Sequence, residues 1–429
     1  MLKLPFLINR KKTSQISEDF LGITVSPFKV SVLYFMTPPH PDPDNPNLSG
    51  LTSQQTSGFV TSSPEPHLKL ISARSRYISA EAIFQEAGDP SLITQTVQEI
   101  LDEMREEYTQ IPSHAIFGIS ADHCLDLMSI VSYTNPEPSR FNTDQVKNLY
   151  AQAEKNATFR AQDLLAGLRG DMDTDLVRIT GSTVYQKIDG SKVEDAIGLE
   201  GRELELSWFG SFVEAPYLKF IESISKKLKL EIITASSLGY AFYMAIQEAS
   251  TAYSNCVIIN MGTDATEVHV VFGSGLIGAR YMNIGTISIV EEISRKLDLH
   301  HDEAFQVLEK YKSGTLSGSI FSEVQKILQK FLVIFGKSLC SIFSDFSGVK
   351  TFSPIVLLVG EGFDIPDVAD YVMTEPWHKS IPFKYSPKFE KGRVSDLFDS
   401  VLDLSGAGSS MEWSFPLSLG QVYYKVAEK

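Results

Sequence analysis

Short apolar runs at the start of the chain predict strands. Residues 21–25 and 29–35 read as two strands joined by the tight turn Ser26-Pro27-Phe28. Asp89-Pro90 predicts the start of a helix, and the apolar residues that follow it keep helical spacing to Tyr108. A strand at 116–120 comes next. Strands that alternate with helices in this way indicate an α/β fold.

The second half of the chain repeats this opening pattern. Its predicted strands are residues 256–259, 268–272, 276–284 and 355–359, and its predicted helices are residues 286–297, 302–311 and 318–345. Two strand–turn–strand units, each followed by helices, indicate a duplicated α/β domain.

Composition and charge exclude several classes of protein. The apolar fraction is 43%, which is ordinary for a folded globular chain. Lys and Arg total 38 against 53 Asp and Glu, so the net charge is −15. Because a protein that binds nucleic acid needs a basic surface, we expect no nucleic-acid partner. The three cysteines, Cys124, Cys256 and Cys340, are far apart in sequence, which argues against a disulfide framework and favours a reducing compartment.

Residues 37–66 differ from the rest of the chain. They include seven prolines and nine Ser or Thr residues, with no Lys or Arg. Such a segment buries too little apolar surface to offset its ordering entropy, so we predict a disordered loop inserted between the second and third strands.

The N-terminal residues 1–19 combine apolar and basic side chains. The pattern is not that of a signal peptide, because the apolar stretch is short and the basic cluster follows it. One interpretation is a solvated tail; the other is contact with an anionic membrane surface. The membrane hypothesis rests on Leu4, Phe6, Leu7, Arg10, Lys11 and Lys12.

Three turns have the order expected of a nucleotide cleft. Two facing hairpin turns can cradle a polyphosphate, and a strand–Gly-x-Gly–helix unit can hold the nucleoside. Thr24-Val-Ser-Pro-Phe-Lys29, Asn260-Met-Gly-Thr-Asp-Ala-Thr-Glu267 and Leu358-Val-Gly-Glu-Gly362 occupy these places. With residues 116–123 and 193–206, they resemble the actin-like ATPases, and among these the FtsA and PilM group. Taken singly, each glycine turn is better explained as a tight hairpin.

The departures from that family's motifs concern the metal and the phosphates. Thr24 and Asn260 replace the two aspartates of the phosphate loops, and Pro27 and Phe28 remove a backbone donor and add bulk. We therefore predict no catalytic residue and no metal-binding residue, weak or lost hydrolysis, possible ATP binding and doubtful Mg²⁺ binding. The resemblance implies nucleotide contact by Lys29, Gly262, Thr263, Thr266, Gly360 and Gly362.

The resemblance implies a two-lobed, duplicated actin-like (ribonuclease H-like) fold with an inserted SHS2-type α+β subdomain. The first lobe would comprise residues 20–125 and 216–250, with the subdomain at 126–215 between them. The second lobe would comprise residues 251–285 and 352–415, with a helical insert at 286–351. Residues 416–429 would form a C-terminal helix on the first lobe.

The implied function is that of an adaptor or scaffold. An FtsA-like protein would link a cell-division polymer to the cytoplasmic face of the membrane, as a peripheral protein able to form filaments. A PilM-like protein would bind the cytoplasmic tail of a pilus membrane protein. The short insert and the absence of a sequence resembling the C-terminal FtsA anchor favour PilM, whereas the first-lobe pattern favours FtsA. An active, polymerising ATPase is the third alternative.

Overall fold

The computed structural model describes residues 19–37, 68–78, 90–169, 175–273, 275–346, 348–393 and 401–427. The proposed membrane-contact residues and nearly all of the predicted disordered loop lie outside these ranges. The first seven strands are β1 (Phe20–Val25), β2 (Lys29–Met36), β3 (Leu68–Tyr77), β4 (His114–Ile119), β5 (Cys124–Arg140), β6 (Leu176–Ile188) and β7 (Ser191–Val193). The other eight are β8 (Glu200–Glu214), β9 (Glu231–Ser237), β10 (Cys256–Met261), β11 (Thr266–Phe272), β12 (Gly275–Met282), β13 (Ile355–Val359), β14 (Lys388–Lys391) and β15 (Val401–Asp403).

Helices cover these strands and fill the connections between them. They are α1 (Pro90–Glu107), α2 (Thr143–Arg169), α3 (Ala215–Leu228), α4 (Leu238–Ala249), α5 (Thr286–Leu297), α6 (His301–Lys312), α7 (Gly318–Ser344), α8 (Pro366–Thr374), α9 (Ser414–Leu417) and α10 (Leu419–Ala427). A short 3₁₀ helix, Glu361–Asp364, follows β13.

The two sheets contain the same five-stranded unit. In the first sheet the order is β3-β2-β1-β4-β9, and in the second it is β12-β11-β10-β13-β14. In both units the first three strands are antiparallel neighbours, and the fourth and fifth run parallel to the first. The chain is thus a duplicated α/β structure, as the strand pattern predicts.

Burial on both faces explains why the strands read as continuous apolar runs. In β1 the side chains of Phe20, Leu21 and Ile23 are all fully buried. Helix α1 packs on one face of the first sheet, while α4 and α10 belong to the core on the other. Sheets covered by helices on both faces lose the alternation of apolar and polar residues that marks a half-exposed strand.

A smaller α+β unit lies between β4 and α3 in sequence. It consists of β5, β6, β7, β8 and α2, with its own apolar core between the sheet and the helix. Ala153, Ala157 and Ala161 recur at every fourth position of α2 and are fully buried, so this helix lies close against the strands. This unit joins the second sheet through β5 and β12, where the paired residues are Leu127 and Gly278.

Helices α5, α6 and α7 fill the connection between β12 and β13. Helix α7 is long and apolar enough, by length and composition alone, to cross a membrane, and 44% of its most apolar window is buried. Its buried side chains, among them Val324, Leu328 and Phe335, pack in the core of the second lobe. The structure therefore accounts for the apolar character of α7 by packing.

The structure corrects one domain assignment. Residues 401–403, which we assigned to the second lobe, form β15 and pair in parallel with β3 at the edge of the first sheet. The segment returns to the first sheet before α10, whose Tyr423 stacks on Phe20 with ring centroids 4.5 Å apart. A three-residue edge strand has too little apolar pattern to be recognised in the sequence.

Candidate functional site

A cleft of about 110 Å³ separates the two hairpin turns. The first hairpin, β1–β2, turns at residues 26–28, and the second, β10–β11, turns at residues 262–265. Thr24 and Asn260, which replace the expected metal-binding aspartates, both line the cleft. The lining residues include one cation, Lys29, and five carboxylates: Asp122, Asp264, Glu267, Glu361 and Glu412.

The first hairpin turn has no backbone amide left for a ligand. The amide of Ser26 donates to the Lys29 carbonyl at 2.9 Å, and the amide of Lys29 donates to the Ser26 hydroxyl at 3.1 Å. The amide of Phe28 donates to Asp264 across the cleft at 3.3 Å, while Pro27 has no N–H. All the donors that this turn could offer to an anion are therefore used within the protein.

Asp264 lies in the turn of the second hairpin and reaches the first. Its carboxylate accepts a hydrogen bond of 2.5 Å from the Ser26 hydroxyl in addition to the Phe28 amide. Burial is the largest of the effects that together raise the pKa of Asp264 to about 7; the charges of Asp122 and Glu361 also raise it, while the hydrogen bonds from Ser26 and Phe28 lower it. Near neutral pH this interlobe contact is consequently divided between its charged and its neutral forms.

Glu361 is the second carboxylate that reaches the first lobe. It forms a buried ion pair with Lys29 and accepts hydrogen bonds from the hydroxyls of Thr263, at 2.8 Å, and Thr286, at 2.5 Å. Burial alone would raise the pKa of Glu361, but the charge and hydrogen bond of Lys29 lower it to about 2. Burial opposes the charge of Lys29 as well, yet Glu361 and Glu412 together hold its pKa well above the usual value.

Gly360 allows Glu361 to enter the cleft. It has φ of +93°, a conformation that favours glycine, at the point where β13 ends. A Cβ at this position would overlap the Asn260 side chain and the Met261 carbonyl of the neighbouring strand β10. Close packing of two backbones therefore explains this glycine without any ligand.

Further contacts close the cleft beside Lys29. Its ammonium group lies 2.9 Å from Glu412, which accepts a hydrogen bond of 2.5 Å from Ser75 of β3. Tyr77, also on β3, donates to Glu361 at 3.2 Å, and its ring lies 4.9 Å from the Lys29 ammonium. The lysine thus contacts two carboxylates and an aromatic ring that are all supplied by the protein.

A third carboxylate connects the lobes at the base of the cleft. Glu267 of β11 accepts a hydrogen bond of 2.7 Å from the Ala121 amide, which follows β4 of the first lobe. Its other oxygen lies 3.0 Å from Nε2 of His269 and 3.4 Å from the Asn260 amide. Both Glu267 and His269 are almost fully buried, so this network is part of the packed interface between the lobes.

The structure brings four of the six proposed nucleotide-binding residues to the cleft: Lys29, Gly262, Thr263 and Gly360. Thr266 instead donates its hydroxyl to the Ile284 carbonyl at 2.6 Å. Gly362 lies on the 3₁₀ helix, where it packs against Met261 and does not line the cleft. Their nucleotide contact remains a prediction.

Sequence reasoning missed the roles of Glu361 and Glu412. Glu361 stands between the two glycines of the Gly-x-Gly motif, and a charged residue at this position is a signal that could have been used. Its partner Lys29 lies 332 positions away in sequence. Glu412 belongs to no motif, so only the folded structure associates it with Lys29.

This arrangement does not fit a magnesium-bound nucleoside triphosphate. The cleft volume of about 110 Å³ is well below the ~300–1,000 Å³ of typical ligand pockets. The carboxylates that line the cleft outnumber its single cation and disfavour a polyphosphate, and the donors of the first turn are used internally. Within the described part of the chain, no cluster of three or more His, Cys, Asp or Glu residues has the geometry of a metal site.

No protein-family model and no curated protein matches the chain. Among solved structures, it is similar to one titled "PilM-PilN type IV pilus biogenesis complex", at 12% identity and a TM-score of 0.57, over 95% of this chain and 98% of that one. It is also similar to EutJ of Carboxydothermus hydrogenoformans, at 7% identity and a TM-score of 0.42, over 94% and 90% of the two chains. A Bacteroides thetaiotaomicron protein described as having an actin-like ATPase fold matches at 8% identity and a TM-score of 0.35, over 94% and 96%.

The chain has a two-lobed, actin-like α/β fold, and this confirms the fold class predicted from the sequence. The duplicated strand order and the likeness that spans both chains almost completely agree on this point. The likeness covers the fold and does not single out the FtsA group.

Proposed function

We propose that this protein is an actin-fold scaffold that has lost efficient ATP hydrolysis and acts by binding a partner protein. The observation that supports the proposal is the internal use of the anion-binding groups. Lys29, the Thr263 hydroxyl and the amides of the first turn contact Asp264 or Glu361, or one another. Carboxylates fixed in these positions compete with phosphate for the same donors. A cleft in this state holds the lobes together and leaves no place for a polyphosphate.

The partner is proposed to be a membrane protein of a type IV pilus machine. The structure titled as the PilM-PilN complex has the same fold over 98% of its chain. By analogy, this protein would lie in the cytoplasm at the inner face of the membrane and would be recruited by a partner's tail.

A second candidate is an FtsA-like adaptor for a cell-division polymer. The motif order in the first lobe favours it, and so do residues 193–206 of the small unit, because this stretch resembles a stretch of FtsA. In that case the partner would be a tubulin-like division protein, and the protein would form filaments.

Two measurements test the scaffold proposal. Steady-state phosphate release with MgATP should stay at background, and turnover comparable with that of an intact actin-fold ATPase would contradict it. Pairwise binding assays with the cytoplasmic tail of a PilN-type protein and with a tubulin-like division protein, both from the same genome, then separate the two partners. Binding to the tail alone supports the pilus role, and binding to the division protein alone supports the second candidate.

A further inference from the structure

Strand β5 has a long edge without a partner strand. Its residues 124–140 pair with β8 on one side over most of their length. On the other side, its pairing with β12 consists of Leu127 and Gly278 alone. Among the residues that the structure describes, no strand covers β5 beyond that point. We use the name β5 edge for this open side of residues 128–134.

The backbone direction at the β5 edge follows from one side-chain contact. Arg160 of α2 donates to the Met128 carbonyl at 3.1 Å. In an antiparallel strand, the N–H and C=O of one residue point to the same side, and successive residues alternate. Ile130 and Ser132 therefore direct their backbone groups to the same open side as Met128.

The β5 edge lacks the usual protection of an exposed strand. Proteins normally guard such edges with charged residues, proline or short strands. Residues 128–134, Met-Ser-Ile-Val-Ser-Tyr-Thr, include no charge and no proline, and Ile130 is 50% exposed. By contrast, the outer strand β14 has only four residues, of which three are charged. The β5 edge thus has the features of a surface that accepts another strand.

Two arginines lie at the beginning of the β5 edge. Arg160 is exposed, and Arg280 is half-buried on β12, two residues after the Gly278 that pairs with β5. Burial lowers the pKa of Arg280 and the charge of Arg160 lowers it further, against the effect of Asp345. Arg280 donates to two carbonyls, of Asp345 and Ala279, and neither arginine forms an ion pair with a carboxylate in the described ranges.

We propose that the β5 edge binds an extended peptide of a partner protein as an added strand, and that a carboxylate of this peptide lies between Arg160 and Arg280. Main-chain hydrogen bonds to Ile130 and Ser132 would provide affinity, as in other cases of strand addition. The exposed Ile130 side chain would contact an apolar residue of the peptide, and the paired arginines would select an acidic one. A second copy of the chain is disfavoured as the occupant because each copy carries a net charge of −15.

This inference extends the proposed scaffold role to a surface outside the interlobe cleft. The phosphate-release assay does not involve β5, so either proposal can fail while the other stands. A peptide that binds here would also leave the contacts of Asp264 and Glu361 unchanged.

Selection from a random dodecapeptide phage library tests the surface with the full chain as bait. Ser132→Pro serves as the counter-selecting bait, because it removes an N–H that points to the open side and no hydrogen bond to β8. Enriched peptides are then measured by fluorescence anisotropy against wild type, Ser132→Pro, Arg160→Glu and the control Arg202→Glu, an exposed arginine elsewhere in the same unit. Arg160→Glu keeps the test valid if Ser132→Pro does not fold.

We expect enriched peptides with Asp or Glu near Val, Ile or Thr, and binding that is about tenfold weaker for Ser132→Pro and Arg160→Glu. Arg202→Glu should change it less than about twofold. No enrichment, enrichment of basic sequences, or equal binding to Arg160→Glu would overturn the proposal. Sedimentation that shows a wild-type dimer and a Ser132→Pro monomer would overturn it too, since a second copy would then cover the edge.

Discussion

Asp264 and Glu361 both connect the two lobes, but their surroundings differ. Both belong to the second lobe, and both reach across the cleft to groups of the first hairpin. Glu361 contacts a buried cation, Lys29, whereas the hydrogen bonds of Asp264 within the described ranges come from neutral groups, the Ser26 hydroxyl and the Phe28 amide. The pKa of Glu361 is lowered to about 2, while that of Asp264 is raised to about 7.

The difference shows what a buried carboxylate needs in order to remain charged. Hydrogen bonds from neutral donors do not compensate the loss of hydration at Asp264, but an ammonium group does so at Glu361. The contact of Glu361 is therefore constant across the physiological pH range, and that of Asp264 changes its charge within it. The cleft thus has one interlobe contact whose charge is constant near neutral pH, at Glu361, and one whose charge depends on pH, at Asp264.

Removing the charge of Glu361 should cause the largest loss of stability. Glu361→Gln leaves Lys29 buried with only Glu412 to balance it, and we expect a loss of about 3 kcal/mol in the free energy of unfolding. Urea denaturation measures this loss. The matched control is Glu323→Gln, which breaks the exposed pair with Lys326 and should change the free energy of unfolding far less, because solvent screens that pair. Equal losses in the two variants would show that burial of the pair is irrelevant.

The pH dependence of stability sharpens the comparison further. The folded pKa of Asp264 lies above its unfolded value near 3.9, so its favourable contribution is complete below pH ~4 and is lost as the pH rises through about 7. Glu361 has the opposite sign: its contribution is complete above pH ~4.5 and is lost as the pH falls toward about 2.

Asp264→Asn removes the pH-dependent charge from the contact between Asp264 and the first hairpin. This variant should match wild type at pH ~4 and exceed it at pH ~8, by up to about 4 kcal/mol, because wild type then holds a buried charge without a cation. Chemical denaturation at both pH values measures the gap, with the exposed Asp102→Asn as control. A gap that is the same at both pH values would mean that Asp264 does not titrate in the folded state.

Restoring the two aspartates of the phosphate loops should have a smaller effect, limited to weak Mg²⁺ binding. The double substitution Thr24→Asp and Asn260→Asp adds two carboxylates to the cleft, and we expect weak Mg²⁺ binding by calorimetry. Phosphate release should remain at background, because Asp264 and Glu361 still engage the anion-binding donors. Turnover in the double variant would show that the missing aspartates alone explain the lack of hydrolysis that we propose for the wild type. An unchanged response to Mg²⁺ would mean that Pro27 and Phe28 already block the site.

The smallest expected effect concerns the N-terminal segment. If residues 1–16 touch anionic lipid, the full chain should co-sediment with anionic liposomes more than a chain that starts at Ser17. The binding would be weak and reversible, since each basic residue contributes about 1 kcal/mol near such a surface. Equal sedimentation of both chains would exclude the N-terminal segment as a membrane contact. The protein would then reach the membrane through its partner, as the scaffold proposal states.

The fold was largely predictable because its signals are local. The pattern of residues 20–36 and its counterpart at 256–272 define two hairpins, and each lies within about twenty residues of sequence. The first half of β5 was missed because Asp126 and Ser129 interrupt its apolar pattern; both are buried, and Asp126 accepts hydrogen bonds from Ser211 and Ser237 of other strands. Distant partners satisfy these polar groups, so a strand of this kind cannot be recognised from its own residues.

The sequence predicts where the cleft lies, but not whether its hydrogen-bond donors are free to bind a ligand. Lys29, Thr263 and Gly360 reach the cleft because each begins or follows a strand of the duplicated unit. Whether their donors are free depends on Glu361, Asp264 and other residues of the opposite lobe. The lysine of a phosphate loop and the lysine of a buried ion pair have the same sequence signature, and tertiary contacts alone distinguish them.

Equilibrium binding of MgATP to the wild-type protein, measured by isothermal titration calorimetry near pH 7, tests the central claim most directly. Because the donors of the cleft are held by Asp264 and Glu361, we expect no saturable binding up to about 1 mM nucleotide. Saturable one-site binding with a Kd of about 10 μM or below would contradict the account, since the nucleotide would then displace the carboxylates that define it.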